Sequence, residues 1–314
     1  MTEPSEKKIG LGLLAGISTG VFWGIPFLVP QMIPTYTPLE IAFGRFFFFG
    51  LISLFFLKEV VRIIRSLSVK DRIRIFFLSA SGFWFYSILL FWGIQQTDGI
   101  LSSLILGLLP VLIPLCTPDR KSGGPRFYIG LLCLWAGLLN LIAFPVLNGI
   151  VRLKTPSLGG ILALLAALGL WTWFAISNSQ FLKRNAALDR RDFASVVGVV
   201  SLLCMIPIFL IRVNPHELMH RPEVNVYLLG SFALGAGSSW LANWLWNICS
   251  YHCPSEISGP LIVGETVFGL TYSFIFESRL PRSYETFSIV LFMLGVFLAV
   301  TAQWKAHHAT QEQT

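Results

Sequence analysis

Long apolar runs separated by short polar connectors make up most of the chain. A membrane-spanning helix needs about 20 mostly apolar residues, and ten segments of the 314-residue sequence meet this requirement. They are 9–30, 38–57, 75–93, 97–117, 127–148, 158–181, 193–211, 225–249, 255–276 and 284–303. The pattern therefore predicts an all-α integral membrane protein with ten transmembrane helices between the tails 1–8 and 306–314.

Composition narrows the class of protein further. Hydrophobic residues make up 54% of the chain and charged residues 12%, about half the charged share of soluble domains. This argues against a soluble enzyme. The net charge of +7 comes from Lys and Arg in short connectors, and not from a polar module with clustered basic and aromatic residues, which argues against a nucleic-acid partner. The five Cys show no metal or disulfide spacing and are interpreted as small packing residues.

The distribution of Lys and Arg predicts the orientation. With ten spans, both tails lie on one side of the membrane. Sixteen of the 23 Lys and Arg fall in the tails and connectors of that side, six fall on the other side, and Arg45 lies within the second predicted span. Because cytoplasmic loops carry an excess of positive charge, we expect a multi-pass protein of the bacterial inner membrane with both termini in the cytoplasm.

Two segments suggest an internal repeat. Gly12–Trp23 and Gly160–Trp171 are apolar runs that begin with Gly and reach Trp eleven positions later. They predict two five-helix repeats, 9–150 and 156–305. Five spans is an odd number, so the second repeat would be inverted relative to the first. Inverted repeats place a substrate site near the bilayer midplane at their interface and allow alternating access.

Short motifs along residues 9–303 resemble the EamA-like branch of the drug/metabolite transporter superfamily. The matching segments are Trp23-Gly24, Gly44-Arg45-Phe46, Leu109-Pro110-Val111, Gly264-Glu265-Thr266-Val267-Phe268 and Phe276-Glu277-Ser278-Arg279-Leu280. The chain departs from the family pattern at Thr266, where Pro is usual, and at Phe276, where Gly is usual. The resemblance implies a ten-span fold and favours export of amino acids or related metabolites.

Two ionisable residues lie deep in predicted spans, where such groups usually face a cavity or a partner. Arg45 lies about 10 Å along the second span at 1.5 Å per residue, and Glu265 lies near the middle of the ninth. Glu40 is a poor partner for Arg45. Five residues turn a helix by about 500°, so the two side chains point about 140° apart around the helix axis. We expect both residues to contact substrate, with Glu265 binding a cationic group or a proton. Silent helix packing is the alternative for each.

Tryptophan and asparagine side chains are the other candidates for substrate binding. They are Trp23, Trp171, Trp173, Asn178, Trp240, Asn243, Trp244 and Asn247. The spacing of Trp240, Trp244 and Asn247 places them on one face of the eighth predicted span, whereas Trp246 is expected to point away. An aromatic wall with a few polar groups is typical of small-molecule pockets. Helix packing is again the alternative for each residue.

One motif indicates a different class of function. His216-Glu217-Leu218-Met219-His220 matches H-E-x-x-H, which on a helix presents two zinc ligands and a general base. The motif falls in the short polar segment 213–223, where Pro215 and Pro222 bound it. The segment offers no obvious third ligand for a metal ion. A membrane metalloprotease is therefore the enzymatic alternative, and we expect a chance match in a loop.

Together these patterns predict a secondary transporter and not an enzyme. It would move an amino acid or related amphipathic metabolite across the inner membrane by alternating access, most simply outward, with a proton gradient as a candidate driving force. The expected partners are a small-molecule substrate and the lipid bilayer, and no cofactor or metal is expected. A non-transporting membrane scaffold is a further alternative, and it would have a closed, dry interface between its halves.

Overall fold

The computed structural model describes residues 6–116, 124–148, 156–185, 188–252 and 261–311. Every regular element within these ranges is helical, which confirms the all-α prediction. The helices are α1 (Glu6–Met32), α2 (Pro38–Leu54), α3 (Leu57–Ser66), α4 (Val69–Ser79), α5 (Phe85–Gln96), α6 (Gly99–Leu106), α7 (Leu109–Leu115), α8 (Gly124–Leu147), α9 (Leu158–Arg184), α10 (Arg190–Arg212), α11 (Pro215–Met219), α12 (Val224–Phe232), α13 (Ala242–His252), α14 (Gly264–Phe276) and α15 (Ser283–Gln311).

Six described segments are helical, long and apolar enough to cross a membrane. They are Gly10–Met32, Val69–Gln96, Gly124–Leu147, Leu158–Leu182, Asp192–Arg212 and Ser283–Ala302. Six of the ten predicted spans therefore correspond to membrane-length helices, and the count of ten stays a prediction.

The other four predicted spans correspond to different helical arrangements. Span 38–57 matches the 17-residue α2, and span 97–117 is divided between α6 and α7 by a turn at Gly107. Span 225–249 matches the α12–α13 region. Span 255–276 matches α14, and its residues before 261 lie outside the described ranges.

Side-chain caps explain where several of these helices begin. Thr37 and Glu40 form a capping box at the start of α2, in which each side chain accepts a hydrogen bond from the other residue's backbone N–H. Asp98 accepts from the backbone of Leu101 at the start of α6, and Ser157 caps α9 in the same way. These caps satisfy backbone donors that a helix start leaves without intrahelical partners.

Two π-helical segments interrupt the bundle. Ala80–Trp84 joins α4 to α5, and Ala233–Leu241 joins α12 to α13. Such segments are rare and frequently lie at functional sites. Both contact α2, the helix that carries Arg45, so the two irregular segments lie beside a buried ionisable residue.

Helix contacts define two faces of the bundle. We name the end where α1 begins the proximal face and the end where α1 finishes the distal face. The helix pairs α1–α13, α2–α10, α5–α9, α6–α14 and α8–α15 are in contact and run antiparallel, whereas α1 and α14 run parallel. On these directions the connectors around 33–37, 97–98, 213–223 and 277–282 lie at the distal face.

Candidate functional site

A cavity of about 670 Å³ lies among α1, α9, α10, α13 and the first π-helical segment. It extends from Trp23, in the middle of α1, to Leu182 and Leu188 near the proximal face. Its lining residues are Trp23, Phe83, Trp171, Phe174, Ala175, Asn178, Ser179, Leu182, Leu188, Phe193, Ala194, Val197, Asn243, Trp246 and Asn247. This volume is typical of small-molecule sites, about 300–1,000 Å³.

Aromatic side chains form much of the cavity wall. Trp23 of α1 and Trp246 of α13 pack with their ring centroids 5.3 Å apart. On the other side, Phe174 makes edge-type contacts with Trp171 and Phe83, whose ring centroids lie 5.9 and 5.4 Å from its own. Such walls provide flat apolar contact area for a ligand.

Three amides provide most of the polarity of the lining. Asn243 donates from Nδ2 to the carbonyl oxygen of Ser239. The Oδ1 atom of Asn178 is buried, and no hydrogen-bond donor in the described part of the chain reaches it. Buried polar atoms nearly always have a partner, so the unpartnered Oδ1 of this lining residue makes Asn178 the cavity's clearest candidate acceptor for a ligand N–H or O–H group once the side chain turns towards the cavity.

The structure brings five of the predicted residues together. Trp23, Trp171, Asn178, Asn243 and Asn247 all line the cavity. Their contact with a substrate stays a prediction, but their convergence on one open volume is the arrangement that such contact requires.

Three predicted tryptophans lie outside this lining. Trp173 and Trp244 are 46% and 44% exposed, and Trp240 packs against Trp244 with centroids 6.3 Å apart. The expectation that Trp246 points away is wrong, because the inward face of α13 is centred on Asn243, Trp246 and Asn247. Asn243 precedes the other two by three and four residues, which places all three on one side of a helix.

Arg45 is buried beside the cavity region and does not line it. Its side chain is 8% exposed; Nε donates to Ser239 Oγ at 2.9 Å and Nη1 donates to Ser87 Oγ at 3.2 Å. Arg45 interacts electrostatically with Glu265 and Tyr86. Among the described residues, no ion pair within 4 Å joins it to Glu265. Glu40, which the helix rotation predicted to be a poor partner for Arg45, pairs instead with Arg221.

Sequence reasoning did not select Phe83, Phe174, Phe193 or Ser179 as lining residues. Phe174 carries a usable signal, because it lies three residues after Trp171 and four before Asn178 and so shares their helix face. Phe83 carries none, since it lies in a π-helical segment whose irregular rotation no periodicity predicts.

A second, smaller cavity of about 270 Å³ lies at the distal face, where Asp98, Glu277, Arg279 and Glu285 contribute to its lining. Arg279 forms two hydrogen bonds with Glu285, at 2.6 and 2.8 Å, and one with Glu277 at 2.5 Å. The hydrogen bonds to Glu285 raise the pKa of Arg279 above its ordinary value. Burial raises the pKa of Glu277, and the charge of Arg279 opposes that rise.

The H-E-x-x-H segment forms a single helical turn, α11, between Asn214 and His220. The two imidazole rings stack with centroids 4.1 Å apart, and both residues are exposed. No group of three or more metal-ligating side chains occurs within the described ranges. The segment lies at the distal face, away from the large cavity.

Comparison with known proteins agrees with this architecture. Residues 10–118 match the EamA-like transporter family. The inner membrane protein YtfF of Escherichia coli (strain K12) is 28% identical over 308 residues, which cover 93% of this chain and 95% of that protein. A crystal structure of a protein that is 16% identical aligns with a TM-score of 0.61 over 93% of this chain and 96% of the other, which shows a shared fold.

A helical membrane protein with a large internal cavity is the class that fold and site define. Residues 10–118 are similar to the EamA-like transporter family, the family that the sequence motifs resemble, and the chain is similar to YtfF over most of both lengths. The match over residues 10–118 favours a membrane transporter over an enzyme.

Proposed function

We propose that the protein is a secondary transporter that moves an amino acid or a related amphipathic metabolite outward across the inner membrane by alternating access. The observation that carries this proposal is the cavity of about 670 Å³ with its tryptophan walls and the unpartnered Oδ1 of Asn178. A non-transporting scaffold would have a packed interface at this place.

Helix contacts support the two inverted repeats, 9–150 and 156–305. In the predicted repeat, span 1 corresponds to span 6, span 2 to span 7, and so on. The contact between α1 and α13, in spans 1 and 8, then corresponds to the contact between α9 and α5, in spans 6 and 3. The contacts α2–α10, α6–α14 and α8–α15 map onto themselves, and all of these pairs are observed. The two π-helical segments also fall in equivalent spans, the third and the eighth. This is the symmetry that two inverted repeats would produce.

Orientation follows from the charge distribution. We propose that the proximal face, which carries most of the Lys and Arg, is cytoplasmic. The large cavity would then be open towards the cytoplasm. The homologue YtfF is an inner membrane protein, and the same location is proposed for this chain.

Proton coupling is proposed to depend on Glu265. Its carboxylate interacts electrostatically with Arg45, which has only serine hydroxyls as hydrogen-bond partners in the described residues. A carboxyl group near a buried guanidinium changes that site's net charge when it takes up or releases a proton.

Substrate contacts of Trp173, Trp240 and Trp244 are proposed only for conformations in which these side chains move inward.

Counterflow in proteoliposomes tests the transport proposal. Vesicles preloaded with unlabelled phenylalanine, tryptophan, leucine or glutamine receive the same compound in tritiated form, and protein-free vesicles set the background. We expect exchange of at least one compound, loss of most of it in Asn178→Leu, and retention in Asn148→Leu, which removes an exposed amide at the end of α8. Exchange at background level for every compound would contradict the proposal.

A further inference from the structure

Arg221 joins the two halves of the protein at the distal face. Its Nη1 atom lies 2.8 Å from Glu40 Oε2 and 3.1 Å from the carbonyl oxygen of Thr35. Glu40 belongs to α2, whereas Arg221 lies in the connector after α10. The Glu40 side chain is 3% exposed and that of Arg221 is 30% exposed, so the pair is largely shielded from solvent.

Further contacts between the two halves surround the same pair. Tyr36 and Tyr227 stack with centroids 4.5 Å apart and an interplanar angle of 4°. Tyr227 donates from its hydroxyl to the backbone carbonyl of Glu40 at 2.9 Å. Thr35 donates from Oγ1 to Glu223 Oε2 at 2.9 Å. The connector between α1 and α2 is therefore held by residues of the second half at the distal face.

The proximal face carries a second ion pair between the halves. The Nη2 atom of Arg62, in α3, lies 3.2 Å from the Oδ2 atom of Asp192, in α10. Their side chains are 71% and 19% exposed. Exposed ion pairs contribute little to stability, whereas breaking a buried pair is costly. The proximal pair is thus the looser of the two.

The two pairs occupy equivalent places in the proposed repeats. Glu40 is the third residue of α2, and Asp192 is the third residue of α10, the corresponding helix of the second half. Arg62 lies after α2 and Arg221 lies after α10. In both cases an acidic residue in the first turn of a helix pairs with an arginine that follows the equivalent helix of the other half.

We propose that Arg221–Glu40 and Arg62–Asp192 are the two reciprocal gates of the transport cycle. The pair at the closed end is tight and shielded, and the pair at the open end is loose and exposed. A switch to the opposite conformation of the transport cycle would tighten the Arg62–Asp192 pair and separate Arg221 from Glu40. This inference rests on the proposed alternating access, and it adds which residues hold each end shut.

Distances between spin labels, measured by pulsed electron resonance in nanodiscs, test the proposal in the full-length chain with its cysteines replaced. Labels at Met32→Cys and Val226→Cys report on the distal face, and labels at Val69→Cys and Arg184→Cys report on the proximal face. Each pair takes one residue from each half. The variants are Arg221→Gln, Arg221→Lys, Arg62→Gln and, as a charge-matched control at the distal end, Arg212→Gln.

The reciprocal gates predict shifts of opposite sign. Arg221→Gln should increase the population with the longer distal distance at least threefold, and Arg62→Gln should decrease it. Arg221→Lys and Arg212→Gln should resemble the unchanged protein. Shifts of the same sign in Arg221→Gln and Arg62→Gln, or effects no larger than that of Arg212→Gln, would overturn the proposal while leaving transport intact. A single distance on each face in every variant would overturn alternating access as well as the gates.

Discussion

Trp23 of α1 and Trp246 of α13 face each other with ring centroids 5.3 Å apart and planes inclined by 41°. They come from different halves of the chain and meet at the wall of the large cavity. Aromatic contacts of this kind depend on the relative position of the two helices. The pair therefore links cavity shape to the packing of the two halves.

Replacement of Trp246 tests the aromatic wall. We expect Trp246→Ala to raise the half-saturation concentration for counterflow of the exchanged compound by about tenfold, since a buried aromatic contact is worth on the order of 1 kcal/mol beyond its area burial. Trp135→Ala removes the same side chain from an exposed position on α8, outside the cavity lining, and should change the half-saturation concentration less than twofold. Equal effects of the two substitutions would contradict the assigned lining.

Glu265→Gln tests proton coupling. The amide keeps the shape of the side chain but cannot release a proton, so uptake driven by a pH gradient should be lost while counterflow persists. Glu217→Gln, at an exposed distal position, is the control and should leave both unchanged. Gradient-driven uptake that stays pH-dependent in Glu265→Gln would remove this carboxyl from the mechanism.

The contact between α8 and α15 depends on glycine. A Cβ atom at Gly130 would lie 2.7 Å from the Ala299 backbone nitrogen and 2.8 Å from the Gly295 carbonyl oxygen. Backbone atoms cannot move aside cheaply, so Gly130→Ala should destabilise the protein by about 1–3 kcal/mol. Gly169→Ala, where a Cβ meets nothing within 4 Å, should be neutral or stabilising. Thermal unfolding in detergent distinguishes the two, and equal melting temperatures would contradict the packing.

Glu277 should give the protein a pH-dependent stability. Burial raises the pKa of its carboxyl, so the folded state binds the proton more tightly than the unfolded state does. Stability from this group is then present at low pH and is lost as pH rises through the raised pKa. Glu277→Gln should flatten this part of the profile of melting temperature against pH, and Glu59→Gln should not. Parallel profiles for both variants and the unchanged protein would exclude the effect.

The hydrophobic pattern alone predicted the helical class, and six of its ten predicted spans correspond to membrane-length helices in the described residues, because burial in lipid imposes a length and a composition on each span. It could not predict the turn at Gly107, which lies within a continuous apolar run. Nor could it predict the π-helical segments, because an extra residue in one turn leaves no signature in an apolar sequence.

Residue type and a regular helix were sufficient to select part of the cavity lining, and the binding role of these residues stays a prediction. Trp23, Trp171 and Asn178 lie on regular helices and line the cavity. Trp246 was predicted to point away because the spacing of Trp240, Trp244 and Asn247 defines one face of the helix. Spacing alone does not tell which face is directed towards the cavity, since that depends on the neighbouring helices. The pairing of Glu40 with Arg221 joins residues 181 positions apart, which only tertiary structure reveals.

The central claim is that one aromatic and amide-lined chamber opens to either face in turn. Ala175→Cys, placed in the lining of an otherwise cysteine-free chain, tests it through labelling by a membrane-impermeant maleimide in right-side-out and inside-out vesicles. Alternating access predicts labelling from both faces, faster from the proximal one. Labelling from the proximal face alone, under all conditions that support exchange, would contradict the account.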